Sequence, residues 1–119
     1  MKKGLQVVAL GTVWAIGLGG LMAARAQQLL VTNPYAVSDA HIIAEGKKLY
    51  LMKGCYACHG IDGTGTLAPD LTKTTLTDQM MFERISNGKE GTAMRPFKDM
   101  LTPDELWKII TYLRSLRRP

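Results

Sequence analysis

Two cysteines and a histidine in the segment CYACH, at residues 55–59, are the side chains whose types and spacing point to chemistry. Cys58 lies three positions after Cys55 and His59 lies four positions after it, so on a helical turn the three side chains face roughly the same way. Two thiols can each add to a vinyl group of haem, and the adjacent imidazole can then donate a ring nitrogen to iron. The spacing therefore predicts one covalently attached haem c, with His59 as an iron ligand.

Three other kinds of site account for fewer of these residues. A redox dithiol at Cys55 and Cys58 needs a βαβ scaffold, and the sequence around Cys55 has no strand pattern. A structural zinc site needs four ligands, of which the fourth would be the distant His41. A disulfide between Cys55 and Cys58 would leave His59 unexplained.

The N-terminal residues 1–26 resemble an export signal, with a positive start, an uncharged apolar stretch and a small-residue cleavage pattern ending at Ala26. We expect cleavage after Ala26. The alternative is an uncleaved membrane anchor, because residues 4–24 are 21 consecutive uncharged residues, close to the roughly 20 that span a bilayer. Five glycines in that stretch argue against the anchor. In both cases we expect the remaining domain to be periplasmic.

The basic excess of the chain belongs mostly to this N-terminal segment. The formal charge is +5, from 15 basic and 10 acidic residues. The predicted cleavage removes three basic residues and leaves 12 against 10, or +2, over residues 27–119. So small a charge lacks the clustered cations that nucleic-acid binding requires, and we expect no nucleic-acid partner.

The rest of the chain predicts an extended lead-in followed by three helices joined by long loops. Residues 27–37 form the lead-in, and residues 38–119 form the domain. The first helix runs from Asp39 to about Lys53 with Ser38 as its cap, and the second begins at Thr77 and ends at Asn87-Gly88.

The last helix has the clearest boundary. Thr102, Pro103 and Glu105 form a capping box with proline at the first helical position. Three helices and Gly-rich loops bury little apolar surface by themselves. The prediction is therefore a small all-α fold wrapped around the haem, which supplies the largest apolar group of the core.

From about Ser38 to Leu116 the sequence resembles a class I cytochrome c. The resemblance rests on CYACH, on the Gly-rich loop ending in Pro69-Asp70-Leu71, on a methionine in a loop with Gly and Pro, and on Tyr112-Leu113 in the last helix. It implies that the first helix packs across the last one, with Gly46 and Tyr50 against Ile109 and Tyr112.

The resemblance also implies the surroundings of the iron. His59 would be the proximal ligand, with its other ring nitrogen donating to the carbonyl of Pro69. Leu71 would pack against the porphyrin, and a methionine thioether would be the second axial ligand. Residues 27–119 offer five candidates: Met52, Met80, Met81, Met94 and Met100.

Position favours Met94 among them. Met52 is too close to Cys55 in the chain, and core packing accounts for Met80 and Met81 on the second helix. Met94 lies in a loop before the last helix, where the family places its ligand, and Met100 is the second choice. The family often has proline directly after this methionine, whereas here Arg95 intervenes before Pro96.

Iron held by His59 and Met94 has both axial positions filled, which favours electron exchange over substrate binding. The expected function is a periplasmic one-electron carrier, not an enzyme, between a dehydrogenase or quinol-oxidising complex and an oxidase or another cytochrome. The alternatives are a tightly bound haem subunit of a periplasmic dehydrogenase and a ligand-binding haem sensor. Expected partners are redox proteins, with the chain a monomer or a heteromer subunit, and a membrane only if the signal is uncleaved. Lysines that could steer an acidic partner are Lys47, Lys48, Lys53, Lys73 and Lys98.

Overall fold

The computed structural model of the protein describes residues 32–118. The predicted signal at residues 1–26 and the first part of the predicted lead-in lie outside this range. The described part contains helices α1 (Ala40–Met52), α2 (Tyr56–His59), α3 (Asp78–Asn87) and α4 (Pro103–Ser115), with a 3-10 turn at Leu71–Lys73. Residues 32–118 contain no strand. The prediction of an all-α fold with three main helices and long loops is confirmed.

The cap of α1 differs from the prediction by one residue. The Asp39 carboxylate accepts from the backbone N–H groups of His41 and Ile42, so Asp39 and not Ser38 is the N-cap. A backbone bond from Asp39 N to Ala36 O, 3.1 Å long, closes a turn that leaves Ser38 outside the helix. A carboxylate at this position also gains from the positive end of the helix dipole.

The other two long helices begin where the sequence predicts. Thr77 caps α3 by accepting from the backbone N–H of Met80. At α4 the Thr102 side chain accepts from Glu105 N, while the Glu105 side chain accepts from Thr102 N, which completes the capping box. Both starts depend on contacts within four residues, and such local signals can be read from sequence.

Helix α1 crosses α4 at a glycine. A Cβ atom on Gly46 would lie 2.0 Å from Lys108 O and 2.9 Å from Tyr112 Cβ, so only glycine permits this approach. The rings of Tyr50 and Tyr112 meet edge to face one turn further along, with 5.4 Å between centroids. The glycine meets the backbone of Lys108 as well as Tyr112.

The apolar core lies where these helices meet α3. Trp107 on α4 stacks on Phe82 of α3, with 4.4 Å between ring centroids. Met81 is buried in this core, whereas Met80 is 49% exposed, so core packing explains only the first of the two. The buried apolar cluster comprises Tyr50, Met81, Ile85, Phe97, Leu101, Leu106, Trp107, Ile109, Ile110, Tyr112 and Leu113.

The described part of the lead-in is tied to α4 by side-chain hydrogen bonds. Asn33 Nδ2 donates to Thr111 Oγ1 at 2.9 Å, and the Tyr35 hydroxyl donates to the Asp104 carboxylate. Lys108 bridges Asp104 and Glu45, at 3.1 and 2.9 Å. The lead-in, α1 and α4 are thus connected by one polar network. None of the helices within residues 32–118 has the length and apolar character needed to span a bilayer.

Candidate haem site

The segment CYACH forms a single helical turn. Cys55 has helical backbone angles, and its carbonyl accepts from His59 N at 3.0 Å and from Cys58 N at 3.4 Å. Residues 55–59 therefore form a helical turn, and the spacings of three and four positions place the side chains of Cys55, Cys58 and His59 on the same side of it.

The two thiols are not joined in a disulfide. Cys55 is half-buried and Cys58 is exposed. Burial raises the pKa of the Cys55 thiol. Both sulfurs are thus available to form bonds with a bound group.

Tyr50 holds both ends of this turn. Its backbone carbonyl accepts from Cys55 N at 3.2 Å, and its hydroxyl donates to the Gly60 carbonyl at 2.6 Å. The side chain is 1% exposed, and burial raises its pKa, so the phenol stays protonated as a donor. The sequence predicts only that Tyr50 packs against the last helix. The only sequence signal for this second role is the hydroxyl that phenylalanine would lack.

The loop after the turn folds back onto the turn itself. The Cys58 carbonyl accepts from three consecutive backbone N–H groups, those of residues 66–68, at 3.0–3.1 Å, and also from the Thr66 hydroxyl. Gly65 N donates to His59 O at 2.7 Å. Gly65 has φ +88°, and a Cβ there would lie 2.7 Å from Ala68 O, so this return requires glycine.

The returning loop brings Pro69 to His59. His59 Nδ1 lies 3.0 Å from Pro69 O. A carbonyl oxygen can only accept, so Nδ1 carries the hydrogen, and the lone pair of the neutral ring is on Nε2. The contact fixes both the tautomer and the ring orientation, as is usual for a histidine that binds a metal. Leu71 follows, partly buried against the core, with its N–H donating to Gly63 O at 2.7 Å.

The methionines differ in their surroundings. Met94 is half-buried and packs against the core cluster. Met52, Met80 and Met100 are 67%, 49% and 41% exposed, and Met81 is enclosed in the core. Met94 thus combines partial burial with a place in a loop, where a thioether can face a bound group without leaving the core.

The donor set fits a c-type haem. It consists of two thiols free of a disulfide, an imidazole with Nε2 available and a half-buried thioether. A zinc site lacks comparable support, since within the described range no three His, Cys, Asp or Glu side chains are grouped to hold a metal.

Two features near Met94 are not predicted by the sequence. The Thr92 hydroxyl accepts from Met94 N at 3.2 Å. Gly88, predicted only as a helix stop, lies against the backbone of residues 94–96. A threonine two residues before the methionine is the only sequence signal for the first, and the second depends on tertiary contact.

The chain is similar to a known protein family and to two bacterial proteins. Residues 41–113 match the family described as cytochrome c oxidase, cbb3-type, subunit III. Cytochrome c-L of Methylorubrum extorquens is 31% identical over 86 residues, which cover 67% of this chain and 43% of that protein. The quinohemoprotein alcohol dehydrogenase ADH-IIG of Pseudomonas putida is 32% identical over 117 residues, which cover 95% of this chain and 16% of that protein.

A solved structure is similar as well. The crystal structure of cytochrome cL from the marine methylotroph Methylophaga aminisulfidivorans has a TM-score of 0.61 and 32% identity, over 68% of this chain and 57% of that one. This chain spans less than half the length of either relative matched by sequence.

Proposed function

The chain belongs to the c-type cytochrome family, whose cofactor is covalently bound haem c, and on that premise we propose that it is a periplasmic one-electron carrier. The family match confirms the resemblance to class I cytochromes c and the prediction of haem c. In the proposal Cys55 and Cys58 would hold the haem through thioether bonds, and His59 and Met94 would bind its iron. The haem, when bound, supplies the one-electron chemistry of its iron.

The observation that carries the proposal is that hydrogen bonds already hold the His59 ring and backbone in one orientation. Its Nδ1–H is engaged by Pro69 O at 3.0 Å, and its backbone is fixed within the turn and by the Gly65 N–H. The ring can therefore present Nε2 without rearranging, and the hydrogen bond makes it a stronger donor. A ligand held in this way suits a carrier, since little reorganises when the charge of the site changes.

Met94 supports the same function from a separate segment. A thioether ligand in an apolar surround favours the reduced form and raises the potential. Met94 packs against the core cluster, which contributes that apolar surround. With His59 and Met94 holding the iron, the haem would exchange electrons without binding a substrate, and the chain's own residues would serve electron transfer.

Substitution of the two candidate methionines tests the ligand assignment. In Met94→Ala we expect the ferric protein to lose its thioether-to-iron charge-transfer band, the reduction potential to fall, and the reduced protein to bind carbon monoxide. Met100→Ala is the matched control and should keep the wild-type spectrum. The measurements are visible absorption, equilibrium redox titration and carbon monoxide difference spectra.

Two results would contradict this part of the proposal. If Met94→Ala keeps the band and Met100→Ala loses it, Met100 is the ligand. If reduced wild-type protein binds carbon monoxide at neutral pH, an axial position is open and the protein is a ligand-binding haem protein, not a carrier.

A second function, a haem subunit bound tightly to a periplasmic dehydrogenase, is favoured by one observation. The similar segment of the quinohemoprotein alcohol dehydrogenase covers 95% of this chain but only 16% of that protein. A chain of this kind therefore occurs within a dehydrogenase, and here it would bind to one as a separate subunit. Gel filtration of the native periplasmic fraction distinguishes the two, since a stable heteromer containing a dehydrogenase supports the subunit and a free small haem protein supports the carrier.

A further inference from the structure

The backbone of Met94 is held on both sides by a small hydrogen-bonded turn. Lys89 N donates to Met94 O at 3.0 Å, and Met94 N donates to Thr92 Oγ1 at 3.2 Å. The same hydroxyl donates its own hydrogen to Lys89 O at 2.7 Å. The Thr92 side chain therefore connects the two ends of the turn, from Lys89 to Met94.

We propose that Thr92 is a positioning residue, whose hydroxyl holds Met94 in the place from which its thioether ligates iron. The inference rests on the proposed function, because it takes Met94 as the axial ligand. Thr92 is exposed and does not pack in the core, so its proposed role is to keep Met94 bound to the iron.

Gly88 is what allows the turn to lie this close to the end of α3. Its φ is +69°, and a Cβ there would lie 2.6 Å from Met94 O and 2.8 Å from both Arg95 C and Pro96 N. The backbone of residues 94–96 thus rests directly on the glycine, and no larger residue could occupy position 88 without displacing it.

The segment after Met94 is fixed independently. Phe97 N donates to Ile85 O at 3.0 Å and Lys98 N to Ser86 O at 3.1 Å, at the last turn of α3. Phe97 is also buried in the core. Because the downstream side is anchored in this way, the freedom of Met94 to move away depends on the upstream turn, where Thr92 acts.

Retention of a weak ligand can be measured by competition. An external ligand such as imidazole binds only when Met94 has left the iron, so its apparent affinity is proportional to the fraction of molecules in that open state. Removing the hydroxyl deletes its bonds to Met94 N and Lys89 O in the closed state. Because Lys89 O still accepts from Thr92 N at 3.2 Å, the net loss is close to that of one such bond, and we expect the open fraction to rise roughly three- to tenfold.

The experiment is an imidazole titration of the ferric haem-loaded protein, followed by the loss of the thioether charge-transfer band. Thr92→Val, which keeps the shape but not the hydroxyl, should bind imidazole about three- to tenfold more tightly than wild type. Thr92→Ser keeps the hydroxyl and should restore wild-type affinity. Thr74→Val is the matched control, because it removes a hydroxyl that accepts from the N–H two residues on, in Leu76, at 3.3 Å. It should leave the affinity unchanged.

Unchanged imidazole affinity in Thr92→Val would overturn the inference, as would an equal increase in Thr74→Val, which would indicate general loosening of the fold. The proposed ligand is tested separately by Met94→Ala. If that variant loses the thioether band while Thr92→Val behaves as wild type, only the role of Thr92 is wrong. If Met94→Ala retains the band, the ligand assignment and the inference both fail.

Discussion

The replacement Tyr50→Phe tests whether the turn that carries Cys55, Cys58 and His59 is held by a side chain of α1. Tyr50 is 1% exposed, and its hydroxyl donates to Gly60 O at 2.6 Å. Phenylalanine keeps the ring and can keep its edge-to-face contact, but it removes the donor. The substitution therefore isolates one buried hydrogen bond at the end of the turn.

The magnitude follows from what remains at Gly60. A neutral buried hydrogen bond contributes about 0.5–1.5 kcal/mol net, and more is lost only when its partner is left unsatisfied. The Gly60 carbonyl still accepts from Gly63 N at 3.2 Å, so it keeps one partner. We therefore expect the free energy of unfolding to fall by about 1 kcal/mol, which in a domain of this size lowers the melting temperature by about 4–8 °C.

The assay is denaturant unfolding of the haem-loaded protein with Tyr112→Phe as the matched control. Tyr112 belongs to the same aromatic pair and is similarly buried, but its hydroxyl does not bond to Gly60. We expect the control to lose clearly less stability than Tyr50→Phe. An equal loss in the two variants, or none in Tyr50→Phe, would refute the conclusion that the phenol holds the turn.

Two further substitutions test the contact between α1 and α4. Gly46→Ala should lower the free energy of unfolding by about 1–3 kcal/mol, because its Cβ would lie 2.0 Å from Lys108 O. Helix propensity alone would instead raise the free energy of unfolding by about 1 kcal/mol. A variant that is more stable than wild type in thermal melts would therefore contradict the close packing. Lys108→Met tests the polar network: hydrogen bonding to Lys108 lowers the pKa of Glu45, and the bonds to Glu45 and then Asp104 raise the pKa of Lys108. The stability that the Glu45 carboxylate contributes is lost as pH falls below 4.5, the ordinary pKa of a glutamate. The stability that the Lys108 ammonium contributes is lost as pH rises beyond 10.5, the ordinary pKa of a lysine. The difference in melting temperature between wild type and Lys108→Met should therefore be largest between these values and shrink on either side, and a pH-independent difference would contradict the pairing.

The parts of the fold that sequence predicts are those fixed by neighbours in the chain. The start of α4 was predicted correctly because Thr102 and Glu105 satisfy each other's backbone within one turn. The start of α1 was wrong by one residue because Ser38 and Asp39 can both cap a helix. The choice between them depends on the turn that Ala36 forms with Asp39, and the sequence carries no distinct signal for that turn.

The contacts that hold the loops of the candidate site cannot be predicted from the sequence, for a different reason. The groups that hold the Cys58 carbonyl are mostly backbone N–H groups, which every residue except proline possesses. A pattern of residue types therefore does not predict such bonds. Gly88 has the same difficulty, since a glycine after a helix reads as a stop signal and its contact with residues 94–96 exists only in three dimensions.

Because backbone groups make most of these bonds, the structure constrains the length of the loops and the positions of their glycines more than the identity of most exposed side chains. Leu67 donates its N–H to Cys58 O at 3.1 Å, yet its side chain is 88% exposed. Its identity therefore contributes little to the return of the loop, whereas the length of the loop and Gly65 determine whether Pro69 reaches His59. On the methionine side the corresponding constraints are Gly88 and a hydroxyl at position 92. The geometry around His59 and Met94 is thus fixed by loop length, by Gly65 and Gly88, by the hydroxyls of Tyr50, Thr66 and Thr92 and by the burial of Phe97, whereas an exposed side chain such as that of Leu67 is free to vary.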